Sequence, residues 1–153
     1  MAIEAPISKF KKNNLKIYIA VCIGLMIWCV YDAHFNAKFQ EKYTDADGNP
    51  TGWLVINRSA PPYLIGAAAL LGAYLFAIRN KKLSADENEL IISAKEKIPY
   101  DSIQKIDRTH FDKKDFFVIT YKNKNDREVE RKLSSRTYDN LAAILDHLVA
   151  KIS

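Results

Sequence analysis

Asp45, Asp47 and Asn49 alternate in the stretch DADGNPTGWLVI (45–56), and alternating oxygen-bearing side chains are how a calcium-binding loop begins. The rest of that loop is not there. Its sixth position is Pro50, where glycine is needed for the sharp turn, and its twelfth is Ile56, where a bidentate glutamate closes the cage. An ordinary turn is expected. His34, His110 and His147 are too scattered to form a metal set with the cysteines. Cys22 and Cys29 lie seven apart in an apolar run, where a continuous helix would hold the sulfurs about 10 Å apart, beyond disulfide reach. They read as small hydrophobes. Ser134 and Ser135 lack a nucleophile elbow, and neither a GxGxxG stretch nor a phosphate loop is present. The acid groups Asp107/Asp112/Asp115 and Glu128/Glu130 read as solvated faces. No catalytic, cofactor-binding or metal-ligating residue is assigned, and a non-enzymatic role is expected.

With chemistry this sparse, the elements carry the information. A mean hydropathy of −0.20 conceals two apolar runs, Ile17 to Tyr31 and Ala60 to Ile78, whereas residues 79–153 hold 16 Lys/Arg against 13 Asp/Glu. A bilayer span needs roughly 20 apolar residues, and a flanking lysine such as Lys16 can snorkel to extend the shorter run. Bulky residues after the first run leave no small-x-small cleavage site, so it reads as a retained helix rather than a signal peptide. Lys9, Lys11, Lys12 and Lys16 precede the first run, and Arg79, Lys81 and Lys82 follow the second. The segment between them, Asp32 to Ser59, has three cations against four carboxylates. The positive-inside rule then puts both termini in the cytoplasm, as a multi-pass membrane protein.

Residues 1–14 are accordingly read as a basic cytoplasmic N-terminus, 15–80 as a transmembrane hairpin and 81–153 as a cytoplasmic domain. The helices are expected at about 15–33 and 60–78, joined by an extracytoplasmic loop at 34–59. Pro61 and Pro62 fit a helix's first turn. Within the second span Ala69, Ala73 and Ala77 recur every four residues, and with Gly66 and Gly72 they make a smooth surface for another helix, of this chain or of another subunit. Neither run contains Asp, Glu, Lys, Arg or His, which argues against a transporter or proton channel. Trp28, Tyr31 and Trp53 fit an outer aromatic belt. In the loop, Phe35, Phe39 and Tyr43 share a helical face, and Trp53 to Asn57 reads as a short strand or an interfacial segment.

After Leu83 the period shortens. Glu89 to Ser93, Lys97 to Tyr100, Ser102 to Asp107, Phe116 to Tyr121 and Glu128 to Leu133 read as strands, with a polar hairpin turn at Lys122 to Arg127. THFDKKD (109–115) is a charged loop, with Phe111 either a core flap or an exposed contact. Arg136 to Ile152 returns to helical period through Tyr138, Leu141, Leu145, Leu148 and Ile152, with Ser134 or Ser135 as its cap. Charges here alternate in sign instead of forming a stripe, so no nucleic-acid partner is expected.

Two membrane helices, short strands carrying an I-P-Y-x-x-I-x-x-I segment (Ile98, Pro99, Tyr100, Ile103, Ile106) and a terminal helix together resemble the bacterial membrane-anchored pleckstrin-homology-like proteins. The resemblance implies an α+β membrane protein, a two-helix hairpin followed by a small antiparallel sheet domain closed by a C-terminal helix, with one or two of the fold's strands either missing or supplied by Lys81 to Ser84. It also implies a non-catalytic scaffold for headgroups or protein segments. Lys81, Lys82, Lys95, Lys97, Lys113 and Lys114 are the candidate contacts to anionic lipid or a partner. The function expected is an accessory subunit packed among other integral membrane subunits; the alternative is a stand-alone tethered module that binds inner-leaflet lipid or a cytoplasmic protein.

Overall fold

A computed structural model describes residues 2–152, and the chain divides into two units, Asn13–Phe76 and Met1–Lys12 with Ala77–Ser153. The first is helical. Helix α1 (Lys9–His34) and helix α3 (Gly52–Ile78) are each long and apolar enough to cross a membrane, about 39 Å at 1.5 Å per residue, and a short helix α2 (Ala37–Lys42) lies between them in sequence.

Both long helices start earlier than expected. Helix α1 begins at Lys9 rather than near residue 15 because Ser8 caps it: the Lys11 amide donates to Ser8 Oγ at 3.1 Å. Helix α3 begins at Gly52 rather than near residue 60, so Trp53 to Asn57 is helical rather than a strand. Pro61 and Pro62 therefore fall inside the helix and not in its first turn. Each removes an amide donor to the residue four back, while Ser59 Oγ donates to the Val55 and Ile56 carbonyls at 2.9 and 3.2 Å. The connection is folded too. Asn36 Oδ1 caps α2 by accepting from the Phe39 amide, and Asp45 Oδ1 accepts from the amides of Asp47 and Asn49 at 3.0 and 2.7 Å. That Asx turn uses the would-be calcium carboxylate on its own backbone.

Beyond Lys12, the buried or half-buried positions of α1 are Asn14, Leu15, Ile19, Cys22, Met26, Cys29, Val30, Asp32 and Ala33; those of α3 are Leu54, Asn57, Ala60, Pro61, Leu64, Ala67, Ala68, Leu71, Gly72, Leu75 and Ile78. Steps of three and four dominate both sets, so each helix turns one side away from solvent. The row expected to pack lies off it. Gly66, Ala69, Ala73 and Ala77 are exposed, Gly72 is only half-buried, and a Cβ built on Gly66 or Gly72 would meet nothing within 4 Å. The sheltered side of α3 mixes leucines with other small residues, Ala60, Ala67 and Ala68.

The second unit has two antiparallel sheets. One has the order β1 (Ile3–Pro6), β2 (Lys82–Ala85), β3 (Glu89–Ser93), β4 (Glu96–Pro99); the other runs β5 (Ile103–Asp107), β6 (Phe116–Lys122), β7 (Glu128–Ser134). Helix α5 (Leu141–Ile152) packs on them, and a four-residue helix α4 (Phe111–Lys114) interrupts β5 and β6. Five strands match the alternating runs, and of the two alternatives for Lys81 to Ser84 the structure has the strand, β2. Strand β1 was not foreseen. It pairs Ile3 with Ala85 and Ala5 with Leu83, and Ala5 is wholly buried. The core gathers Leu83, Leu90, Ile98, Phe117, Ile119, Leu133, Ile144 and Leu148.

The I-P-Y segment has a packing role. Ile98, Tyr100 and Ile103 are core residues, Ile106 lies against them, and the Tyr100 hydroxyl donates to the Asp86 carbonyl at 2.6 Å. Phe111 is a core flap, edge-on to Phe117 with centroids 6.0 Å apart. Helix α5 starts at Leu141, five residues later than its period suggests, and Ser134 ends β7 instead of capping it. The reason is the N-terminal segment: the Thr137 carbonyl accepts from the Ser8 amide at 2.8 Å, and the Asp139 amide donates to Pro6 at 2.9 Å. Those backbone groups are engaged in an extended pairing and cannot join the helix.

Candidate functional site

The six candidate lysines have unequal environments. Lys82 is paired with Glu4, and Lys97 Nζ lies 2.8 Å from Glu89, whose hydrogen bond and charge hold the Lys97 ammonium above its ordinary range. Lys95 and Lys97 line a 700 Å³ pocket with Lys122 and Lys124, but Glu89 and Glu96 line it as well, and Lys122 is paired with Asp126 at 2.9 Å. Charge there is partly offset: Lys97 and Lys122 are paired, while Lys95 and Lys124 have no ion-pair partner among the described residues. Lys81 is exposed at the turn after α3, its carbonyl accepting from the Ile7 amide.

Lys113 and Lys114 differ. Helix α4 ends at Asp115, which takes a left-handed conformation (φ 53°), and the Asp115 carbonyl accepts from the Ser135 amide at 2.9 Å. This ties the short helix to the end of β7, where Phe116 is in register with Ser134. The consequence is a 340 Å³ pocket that Lys113 and Lys114 share with Lys132 and Arg136, with Asp115 the one carboxylate among its lining residues. None of the four cations is ion-paired with a described residue. Lys132 Nζ sits 3.7 Å from the centre of the Phe116 ring, a contact that orients the ammonium without neutralising it.

Sequence reading named half of this site. Lys132 sits on a strand face and Arg136 after it, and only the β6–β7 register and the Ser135 tie bring them beside α4. Chemically, three lysines and a guanidinium against one carboxylate suit an anion with several oxygens, the guanidinium contributing a planar fork and the lysines point charges.

The helical unit holds a second cluster that sequence reading missed. Asp32, 8% exposed, accepts from Trp28 Nε1 at 2.7 Å and from Asn36 Nδ2 at 2.9 Å. It borders a 420 Å³ cleft with Phe39, Tyr43, Trp53 and Asn57. The available signal was the i, i+4 series Trp28, Asp32, Asn36 at the end of an apolar run.

The histidines stay apart. His147 Nε2 is 3.2 Å from the Asp86 carbonyl, His110 lies against the Phe116 ring, and His34 ends α1. No group of three His, Cys, Asp or Glu among the described residues is placed to hold a metal ion. Comparison with known proteins found no match of the chain to a family model, a curated protein or a solved structure.

Proposed function

We propose that the protein is a non-catalytic, membrane-tethered module whose α+β unit binds anionic headgroups of the inner leaflet. The observation that carries this is the pocket of Lys113, Lys114, Lys132 and Arg136, four cations with no ion-pair partner among the described residues. In this reading α1 and α3 cross the bacterial cytoplasmic membrane as a hairpin. The pairing of β1 with β2 supports that topology, since strands from before and after the hairpin in one sheet require both its ends on the same side of the bilayer. Two antiparallel sheets closed by a C-terminal helix support a pleckstrin-homology-like architecture for the unit.

The test is a titration of the full-length protein in maltoside micelles with dioctanoylphosphatidylglycerol, read from backbone amide shifts of residues 113–136. Dioctanoylglycerol, which lacks the phosphate, is the control. Saturable shifts with the phospholipid alone are expected, weakened at least about tenfold in Lys132→Glu/Arg136→Glu and weakened by salt. Equal response to the two lipids, or an unchanged double variant, contradicts the reading.

One observation favours a second role, that of an accessory subunit in a larger inner-membrane complex. The Gly66, Ala69, Ala73 and Ala77 side of α3 stays open, and a small-residue surface lets another helix approach closely. Mass spectrometry after mild-detergent purification should then find co-purifying membrane chains; recovery of the protein alone counts against this role. The two roles are compatible.

A further inference from the structure

Asp32 is a carboxylate in an unusual position. Both its oxygens accept hydrogen bonds, but the donors, the Trp28 indole and the Asn36 amide, are neutral. No cation among the described residues lies within ion-pair distance of it. A sheltered negative charge without a positive partner is costly, and the cost is relieved when a cation arrives. Asn57 across the cleft is also 8% exposed, and its side-chain amide has no hydrogen-bond partner among the described residues. It offers a carbonyl and an amide group to whatever enters.

The other walls are aromatic. Trp28 and Trp53 line the cleft, as do Phe39 and Tyr43, whose rings are 4.8 Å apart. Aromatic faces attract cations, tryptophan most strongly, and Lys42 Nζ already sits 5.3 Å from the Tyr43 ring centre. A bare metal ion would find only one carboxylate here and no second acidic ligand. An alkylammonium group suits the lining better, because its charge meets Asp32 while its methyl or methylene groups meet indole and phenyl surface.

We propose that this cleft binds an organic ammonium group, carried either by a lipid headgroup or by a soluble amine. The site is independent of the basic pocket in the α+β unit, which has the opposite charge preference.

Both tryptophans of the chain line the cleft, so intrinsic fluorescence reports on it directly. The full-length protein in maltoside micelles would be titrated with hexyltrimethylammonium and, in parallel, with hexanol. A saturable change with the ammonium and none with the alcohol is expected. Asp32→Asn should weaken the response on the order of tenfold or more, the loss of one charged partner. Trp53→Leu removes an aromatic wall, leaves Trp28 as reporter, and should weaken it several-fold; it serves if Asp32→Asn does not fold. Lys132→Glu should change nothing. Repeating the titration in nanodiscs separates the sources: competition from phosphatidylethanolamine, but not phosphatidylglycerol, assigns a lipid headgroup, and equal binding in both assigns a soluble amine. The same response to hexanol, or full binding by a folded Asp32→Asn protein, overturns the proposal.

Discussion

Tyr100 shows how a single hydroxyl links the packing of the α+β unit to pH. The ring lies in the core while the O–H reaches the Asp86 carbonyl, and burial, aided by the charges of Asp86 and Glu89, pushes its pKa up to about 12. An unfolded tyrosine ionises near 10, so above that pH the unfolded chain loses a proton that the folded chain keeps. Stability from this group is complete below pH 10 and declines as pH rises toward 12. Thermal unfolding of the full-length protein in micelles, followed by circular dichroism, should show Tyr100→Phe less stable than the wild type by about 1 kcal/mol at pH 8, the usual value of one hydrogen bond. That gap should shrink above pH 10. A constant gap would mean that the hydroxyl does not titrate as a buried donor. Arg131 and Glu96 give a contrast: their 2.9 Å ion pair joins β7 to β4 across the two sheets, yet it is solvent-exposed. Arg131→Ala is expected to cost no more than about 1 kcal/mol. Residue-level chemistry was legible in the turn after α2, where Asp45 accepts from the Asp47 and Asn49 amides as an aspartate in a turn does. It was illegible for Lys132, Arg136 and Asp32, whose significance comes from neighbours that the fold supplies.

Among the elements, β1 carries the argument that the two ends of the chain form one structure. Its four residues include a proline and only one wholly buried side chain, Ala5, and its partner begins 76 residues after its own last residue, at Lys82. No local pattern could announce it. The same long-range pairing delays α5, because Thr137 and Asp139 are engaged with Ser8 and Pro6. The regular alternation of β6 and the three-to-four spacing of α5 were readable because each buries one face against the same core. Trp53 to Asn57 misled for the opposite reason: five residues are too few to separate a strand from a helical turn. Ala5→Asp would place an unpaired carboxylate in the core and is expected to cost at least about 3 kcal/mol, seen as accelerated hydrogen exchange in β2 and β3. Wild-type exchange in that variant would mean that β1 is dispensable. Leu148→Ala, which empties a fully buried position on α5, should cost about 2–5 kcal/mol in urea unfolding of the full-length protein.

For the whole molecule, composition and charge asymmetry pointed to two apolar helices and a polar α+β remainder, and that coarse division is present. Which helix residues are sheltered and which cations converge depended on packing and register, so neither the sheltered side of α3 nor the basic pocket could be read from spacing alone. The proposed topology makes α1 and α3 membrane spans, with the α+β unit on one side and the connection between them on the other. It can be measured with single cysteines in a Cys22→Ser/Cys29→Ser background, one at Asp47→Cys in the connecting turn and one at Asn125→Cys in the β6–β7 turn. A membrane-impermeant maleimide applied to spheroplasts should label the Asp47 position and spare the Asn125 position, and inverted vesicles should give the reverse. Labelling of both positions from the same side of intact membranes would contradict the hairpin and the tethered module built on it.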